Sequence, residues 1–383
     1  MSSASPGESI ASPEPGGSSA ALPRGRSTAL SPRGTLLAVS AFTAVLIAAL
    51  LSVVHVPYVA LSPGPVTDVI AGATKDTKGL ISISGRETYP TTGQLDLTTV
   101  SLRGGPGLEM TLGELLADWV DPAVNVVPRA LYFPPTQTQQ EADAASAAEM
   151  TGSQTNAKVA ALTELGIEVP ATTTTQVDSV ASDAPAGAVL RAGDVITTLD
   201  GTAIADFPAL QSAIRALPGD AEVSIGLTRG GKPLTVATRT VSANGTTLLG
   251  ITPYVDYRFP FTIDIAIDDV GGPSAGTMFA LGIVDELTPG AMTGGQHIAG
   301  TGAIDADGTV EQIGGLRQKV LGAQADGATW FLAPRAECAQ VAGATPDGIT
   351  VVPISTLHEA RTAVEAIGAG KGSTLTTCDD ASS

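Results

Sequence analysis

The chain has 383 residues, enough for two or three domains, and is 43% hydrophobic with only 4% aromatic residues. Its formal charge of −18 argues against nucleic acid as a partner. Two cysteines, Cys338 and Cys378, exclude a disulfide-rich scaffold and leave open one bridge or two free thiols, and His55, His297 and His358 lack ligand spacing, so neither a metal site nor a cofactor is expected.

Residues 1–33 are mostly Ser, Pro, Gly and Ala, a composition that cannot bury a core and predicts a disordered cytoplasmic segment ending with Arg24, Arg26 and Arg33. From 34 to 56 the chain is uncharged and apolar, long enough to span a bilayer. Three arginines precede this run and the next basic residue is Lys75. The positive-inside rule therefore puts the N-terminus in the cytoplasm, residues 34–56 in membrane lipid and the rest outside. A cleaved signal peptide would have an apolar run of about 7–15 residues and a small-x-small site. This run is longer and His55-Val56-Pro57-Tyr58 is a poor cleavage site, which favours a single-pass, uncleaved anchor.

Residues 57–165 read as an extracytoplasmic segment of mixed character. Residues 57–65 are extended and turn-rich, 94–102 alternate as a strand, 111–120 suit a short helix and 141–165 a longer Ala-rich one. No catalytic constellation appears here, and the 95–102 strand is expected to pack with the C-terminal domain.

Residues 166–245 change character. LRAGDVITTLDG at 190–201 precedes a helix pattern capped by Asp206 and bearing Phe207, Leu210, Ile214 and Leu217. Val223, Ile225 and Leu227 then alternate as a strand, turned by 229–232 into 234–236. The phrase LxAGDVIxxLDG resembles PDZ domains of the bacterial protease-associated type. The resemblance implies an extended protein or peptide ligand added to a sheet edge beside a helix. The loop expected to receive a carboxylate is Gly166-Ile167-Glu168-Val169, although Glu168 is no obvious carboxylate receptor. The bland reading is a module that only positions its neighbour.

Residues 246–368 carry the chemistry. Gly271-Gly272-Pro273-Ser274-Ala275-Gly276 is a tight turn feeding a mostly apolar helix pattern through Met278, Phe279, Leu281, Ile283, Val284 and Leu287. Ser274 sits near a helix N-terminus, where an N-cap is the ordinary role and a nucleophile beside oxyanion-stabilising N–H groups the functional one. Ile313-Gly314-Gly315 feeds a second helix on which Leu316, Lys319, Val320 and Ala323 share a face, with Arg317 and Gln318 expected to point elsewhere. Lys319 is then either a snorkelling lysine or a desolvated amine able to act as a general base. Serine and lysine together are the minimum kit of a Ser–Lys hydrolase.

GGPSAG followed by IGGLRQK resembles the proteolytic domain of the Lon family over about residues 251–367. That resemblance implies a catalytic dyad of Ser274 and Lys319, with Thr301 of AGTGAI supporting the lysine. The acidic residue that many members carry three positions before the serine is Gly271 here, and Asp268 and Asp269 lie further upstream. The whole order of segments resembles the membrane-anchored PDZ-containing Lon-like (YlbL-type) proteases. The implied fold class is α+β: a transmembrane helix, a β-rich PDZ-like domain and a Lon-type proteolytic domain, followed by a disordered tail at 369–383. The implied activity is an ATP-independent serine endopeptidase at the outer face of the cytoplasmic membrane, and the implied assembly a homo-oligomer, a hexamer. The nearest match to a phosphate loop, 368–373, has Gly372 where Ser or Thr should stand. A Ser–His–Asp triad using His297 is the chemical rival, and a catalytically inactive PDZ/Lon-fold adaptor or chaperone the functional one.

Overall fold

The computed structural model describes residues 32–70, 79–134, 136–181, 184–243, 246–267 and 270–381. Its helices are α1 (Pro32–Val53), α2 (Leu112–Trp119), α3 (Gln139–Glu164), α4 (Phe207–Arg215), α5 (Gly276–Leu287), α6 (Leu316–Asp326), α7 (Leu357–Gly368) and α8 (Cys378–Ala381). The chain up to Val54 and the chain from His55 onward are separate units.

Helix α1 has 22 residues and a mean hydropathy of 2.5, long and apolar enough to cross a membrane. At 1.5 Å per residue it is about 33 Å long, close to a hydrocarbon core of about 30 Å. It starts earlier than the apolar run and ends before His55, because His55–Val56 is a strand paired with Met110–Thr111. Arg33 lies within α1, while Arg24 and Arg26 lie outside the described residues.

In the second unit a six-stranded sheet runs in the order Thr350–Ile354, Trp330–Pro334, His297–Gly300, Gln94–Arg103, Tyr58–Asp68, Asn125–Pro128. The first four are parallel, with Leu95 opposite Ile298 and Leu97 opposite Gly300. The last two pair antiparallel. Alternate residues face opposite sides. Leu95, Leu97, Ile298, Leu332 and Val352 meet α3, α5 and α7 on one side. Ala299, Phe331, Ala333 and Val351 meet α6 on the other. Parallel strands covered on both faces explain the continuous apolar runs at 330–334 and 350–354. Residues 57–165 thus contribute half of this sheet's strands and helix α3, which packs directly on α5.

The 171–257 region forms another sheet, in the order Lys232–Arg239, Glu222–Arg229, Val195–Leu199, Ala171–Val180, Ile251–Tyr257, over a core containing Val177, Ile196, Leu210, Ile225 and Leu227. Asp194 of the LRAGDV phrase is fully buried and takes two hydrogen bonds of 2.7 Å from Arg229, which hold its carboxyl below the ordinary range. Asp206 caps α4 by accepting from the Ala209 N–H at 2.9 Å. The edge of Ala171–Val180 is taken by the chain's own Ile251–Tyr257, register Val180 to Ile251 through Ala171 to Tyr257.

The C-terminal segment departs from the expected disorder. Residues 372–374 form a 3-10 turn, Leu375 packs against the main core, and buried Cys378 is disulfide-bonded to Cys338. One crosslink and one apolar contact order a segment whose composition alone would not fold.

Candidate active site

Ser274 and Lys319 approach from opposite faces of the main sheet. Helix α5 covers one face and α6 the other, and both present their N-terminal ends at the carboxyl end of His297–Gly300, where parallel sheets ordinarily place ligands. On the serine side, Gly271 lies so close to α3 that an added Cβ would fall 1.9 Å from Ser146 Oγ, and the Gly272 N–H donates to Ser146 O at 3.1 Å. The Ser153 hydroxyl donates to Pro273 O at 2.8 Å. Helix α3 therefore clamps the turn that carries Ser274. The N-cap of α5 is Ala275, and no side chain caps it. The hydroxyl of Ser274 is not used as a cap.

On the lysine side, α6 starts from Gly315 at φ 70°, a conformation that costs an L side chain about 1–2 kcal/mol and glycine nothing. Lys319 sits one turn later among Leu316, Val320 and Ala323 and is 2% exposed. Gln318, expected to point away, is buried too and donates to Ala123 O at 3.4 Å, because the 57–165 segment gives α6 a second packing partner.

The Lys319 Nζ lies 2.7 Å from Ser274 Oγ and 3.0 Å from Thr301 Oγ1. The Thr301 hydroxyl, fully buried, donates to Ser274 O at 3.1 Å, and the Gly302 N–H donates to the same oxygen at 2.9 Å. Desolvation pushes the Lys319 amine down to about 7 against an ordinary 10.5, with the Glu337 charge opposing. Burial in turn raises the Glu337 carboxyl, which accepts from the Ile313 N–H at 3.1 Å and from Gln340 at 3.0 Å. Glu337 stands behind the lysine and holds the turn that starts α6. Nothing in its neighbourhood in sequence marks it.

His297 does not join this group. Its Nε2 is 2.5 Å from Asp96 Oδ2 and 3.9 Å from Asp326 Oδ2. It opens the strand whose far end leads to Thr301, about 13 Å away at 3.3 Å per residue. Asp96, His297 and Asp326 could offer ligand atoms within 4.8 Å of one another. Parallel pairing of Gln94–Arg103 with His297–Gly300 brings Asp96 and His297 together, and Asp326 is added from the end of α6, which sequence spacing could not show. His297 and Asp96 are hydrogen-bonded directly through Oδ2, while Asp96 Oδ1 is buried without a partner. Asp268 and Asp269, upstream of the serine, lie outside the described residues.

Comparison with known proteins matches both halves of this architecture. Residues 163–240 match the PDZ domain family, and residues 266–364, which hold Ser274, Thr301 and Lys319, match the Lon protease (S16) C-terminal proteolytic domain. The chain carries a PDZ domain and a Lon-type proteolytic domain. It is 33% identical over 118 residues to Lon protease 1 of Bacillus subtilis, across 29% of this chain and 15% of that protein. It is 44% identical over 61 residues to the periplasmic serine endoprotease DegP of Salmonella typhimurium, across 16% of this chain and 12% of that protein. The chain thus spans less than a sixth of the curated relatives it matches. Among solved structures, the PDZ domain of an SdrC-like protein of Listeria monocytogenes is 32% identical, over 20% of this chain and 84% of that one, with a TM-score of 0.20.

A cavity of about 420 Å³, with Leu102, Pro106, Met110 and Phe133 in its wall, opens beside α3. Its wall residues Ala142 and Asp143 stand one helical turn from Ser146, against which the turn carrying Ser274 is packed.

Proposed function

We propose that this protein is an ATP-independent serine endopeptidase, anchored through α1, that cleaves proteins at the outer face of the cytoplasmic membrane with a Ser274–Lys319 dyad. The observation that carries the reading is a buried amine, lowered to about 7, 2.7 Å from a serine hydroxyl. Neutral Lys319 accepts the Ser274 proton as Oγ attacks the scissile carbonyl, and the resulting ammonium returns that proton to the leaving amine. Water, deprotonated by the same amine, then hydrolyses the acyl ester and frees Ser274. Thr301 holds the amine in line while anchoring the Ser274 carbonyl, and backbone N–H groups around Ser274 receive the oxyanion.

Two further features support the setting. The Cys338–Cys378 disulfide suits an oxidising compartment outside the cytoplasm. Residues 368–373 run on from the C-terminal end of α7, where the helix dipole opposes phosphate, which supports independence from ATP. The PDZ domain selects protein substrates, and the chain works as a homo-oligomer.

The test is fluorophosphonate labelling and peptide cleavage without ATP. Wild type should label and turn over, and Ser274→Ala should do neither. Turnover in Ser274→Ala would remove the serine as nucleophile, and an unlabelled, inactive wild type would return the adaptor reading.

A further inference from the structure

Outside the unit containing α1, the four most exposed large apolar side chains among the described residues are Val120 (83%), Trp119 (73%), Leu131 (72%) and Leu108 (68%). They are as exposed as Leu36 and Leu37 of α1, at 70% each. Singly scattered apolar side chains are ordinary on a soluble surface, but these four all fall within residues 108–131. Leu116, Trp119 and Val120 stand at i, i+3 and i+4 on one face of α2 and its C-cap, while Leu115 is buried. This short helix therefore has an apolar face turned inward and another turned outward.

Both elements that carry the exposed side chains are pinned to the residues immediately after α1. Thr111, the N-cap of α2, pairs with His55, and Met110 pairs with Val56. Arg129, which opens the 3-10 turn containing Leu131, donates its N–H to Pro57 O at 3.0 Å. Along the chain, only Val54 separates α1 from the strand at His55. Helix α2 is about 12 Å long at 1.5 Å per residue, which keeps Trp119 within about 15 Å of the His55 strand.

We infer that Leu116, Trp119 and Val120, with Leu131, lie in the interfacial layer of the bilayer, and that their partner is lipid. The inference rests on reading α1 as an uncleaved anchor. An indole suits that layer because it joins a large apolar ring to one N–H donor. Glu114 and Asp121 flank the face, so the contact is apolar rather than electrostatic and persists at high salt.

The chain has two tryptophans, which makes a direct test simple. Full-length Trp330→Phe protein, with Trp119 as its only tryptophan, is reconstituted into phosphatidylcholine vesicles with brominated acyl chains and excited selectively at the indole. The expected result is a loss of Trp119 emission relative to unbrominated vesicles, a blue-shifted spectrum and protection from aqueous iodide, all unchanged by salt. Emission quenched by iodide and not by bromolipid overturns the proposal. Shielding from both quenchers that disappears on dilution into detergent assigns the face to a second copy and overturns it as well. Protein stripped from the vesicles by alkaline carbonate overturns the anchor reading itself, an outcome distinct from a retained protein with Trp119 in water.

Discussion

Replacing Lys319 with methionine should abolish activity and yet stabilise the fold at neutral pH. The amine is 2% exposed, and desolvation lowers it from 10.5 to about 7. A lowering of roughly 3.5 units corresponds to about 5 kcal/mol favouring the neutral form at about 1.4 kcal/mol per unit. Above pH 10.5 the amine is neutral in both folded and unfolded chains and has no effect on stability. As pH falls from 10.5 to about 7, the unfolded chain takes up a proton that the folded chain does not, so stability is lost through that window and the loss is complete below it. Methionine has a similar length and no charge. It removes this penalty but also the hydrogen bonds to Ser274 and Thr301, together about 2 kcal/mol. The net gain should be about 2–3 kcal/mol at pH 6 and should vanish or reverse near pH 10. The assay is thermal unfolding of the full chain in detergent across that range, with peptide cleavage on the same samples. Wild-type cleavage should rise with pH through about 7 and level off, as a base that must be neutral requires. Lys319→Arg should be inactive, because guanidinium does not deprotonate. A Met variant no more stable than wild type at pH 6, or wild-type activity that rises only above pH 9, would refute the desolvated-amine argument.

Glu337→Gln should keep an acceptor for the Ile313 N–H while removing the charge that raises the lysine, so the midpoint of the pH–activity profile should move down, a shift that a purely structural role would not produce. Burial raises Asp285 to about 6 and Glu286 to about 7, so their stability contribution is present below the ordinary carboxylate range and lost as pH rises through those values. Asp285→Asn retains an acceptor for the Met292 N–H and should raise the melting temperature at pH 8 but not at pH 4. The Cys338–Cys378 bridge closes a 40-residue separation, worth about 4 kcal/mol by chain entropy, and a Cys378→Ala chain should lose roughly that in urea unfolding. Because Val180 pairs with Ile251, replacing residues 181–250 with Asn-Gly should close a hairpin and leave the protease unit folded. That variant should lose cleavage of a folded protein substrate while keeping cleavage of a short peptide, and equal losses on both would deny the PDZ domain a recognition role.

The meeting of Ser274 and Lys319 is legible in the sequence because each sits on a glycine turn feeding a helix, and a period of 3.6 puts Lys319 on the same stripe as Leu316, Val320 and Ala323. The same period misplaced Gln318, since it assumes one packing face, whereas α6 is held by the sheet and also reaches Ala123. Glu337 carries no local sequence signal for a related reason. Its meaning lies in a backbone N–H 24 residues away and a lysine it meets only in the folded chain. The end of the membrane run was blurred because His55 and Val56 leave the apolar stretch for a strand partner more than 50 residues on.

The strand at Gln94–Arg103 shows where local pattern stops. Its alternation predicts a strand, and its apolar residues predict that it packs. Neither can name His297–Gly300 as the parallel partner across the PDZ domain, or set Asp96 beside His297. That pairing also positions the candidate site, for Thr98, two residues beyond Asp96, donates to Gly300 O at 3.0 Å and holds the strand end from which Thr301 reaches Lys319. Ser274 and Lys319 come from the last third of the chain, but the strand and helix that hold them in register come from the first half. A fragment starting at the PDZ domain would therefore contain both Ser274 and Lys319 and lack the strand and helix that position them.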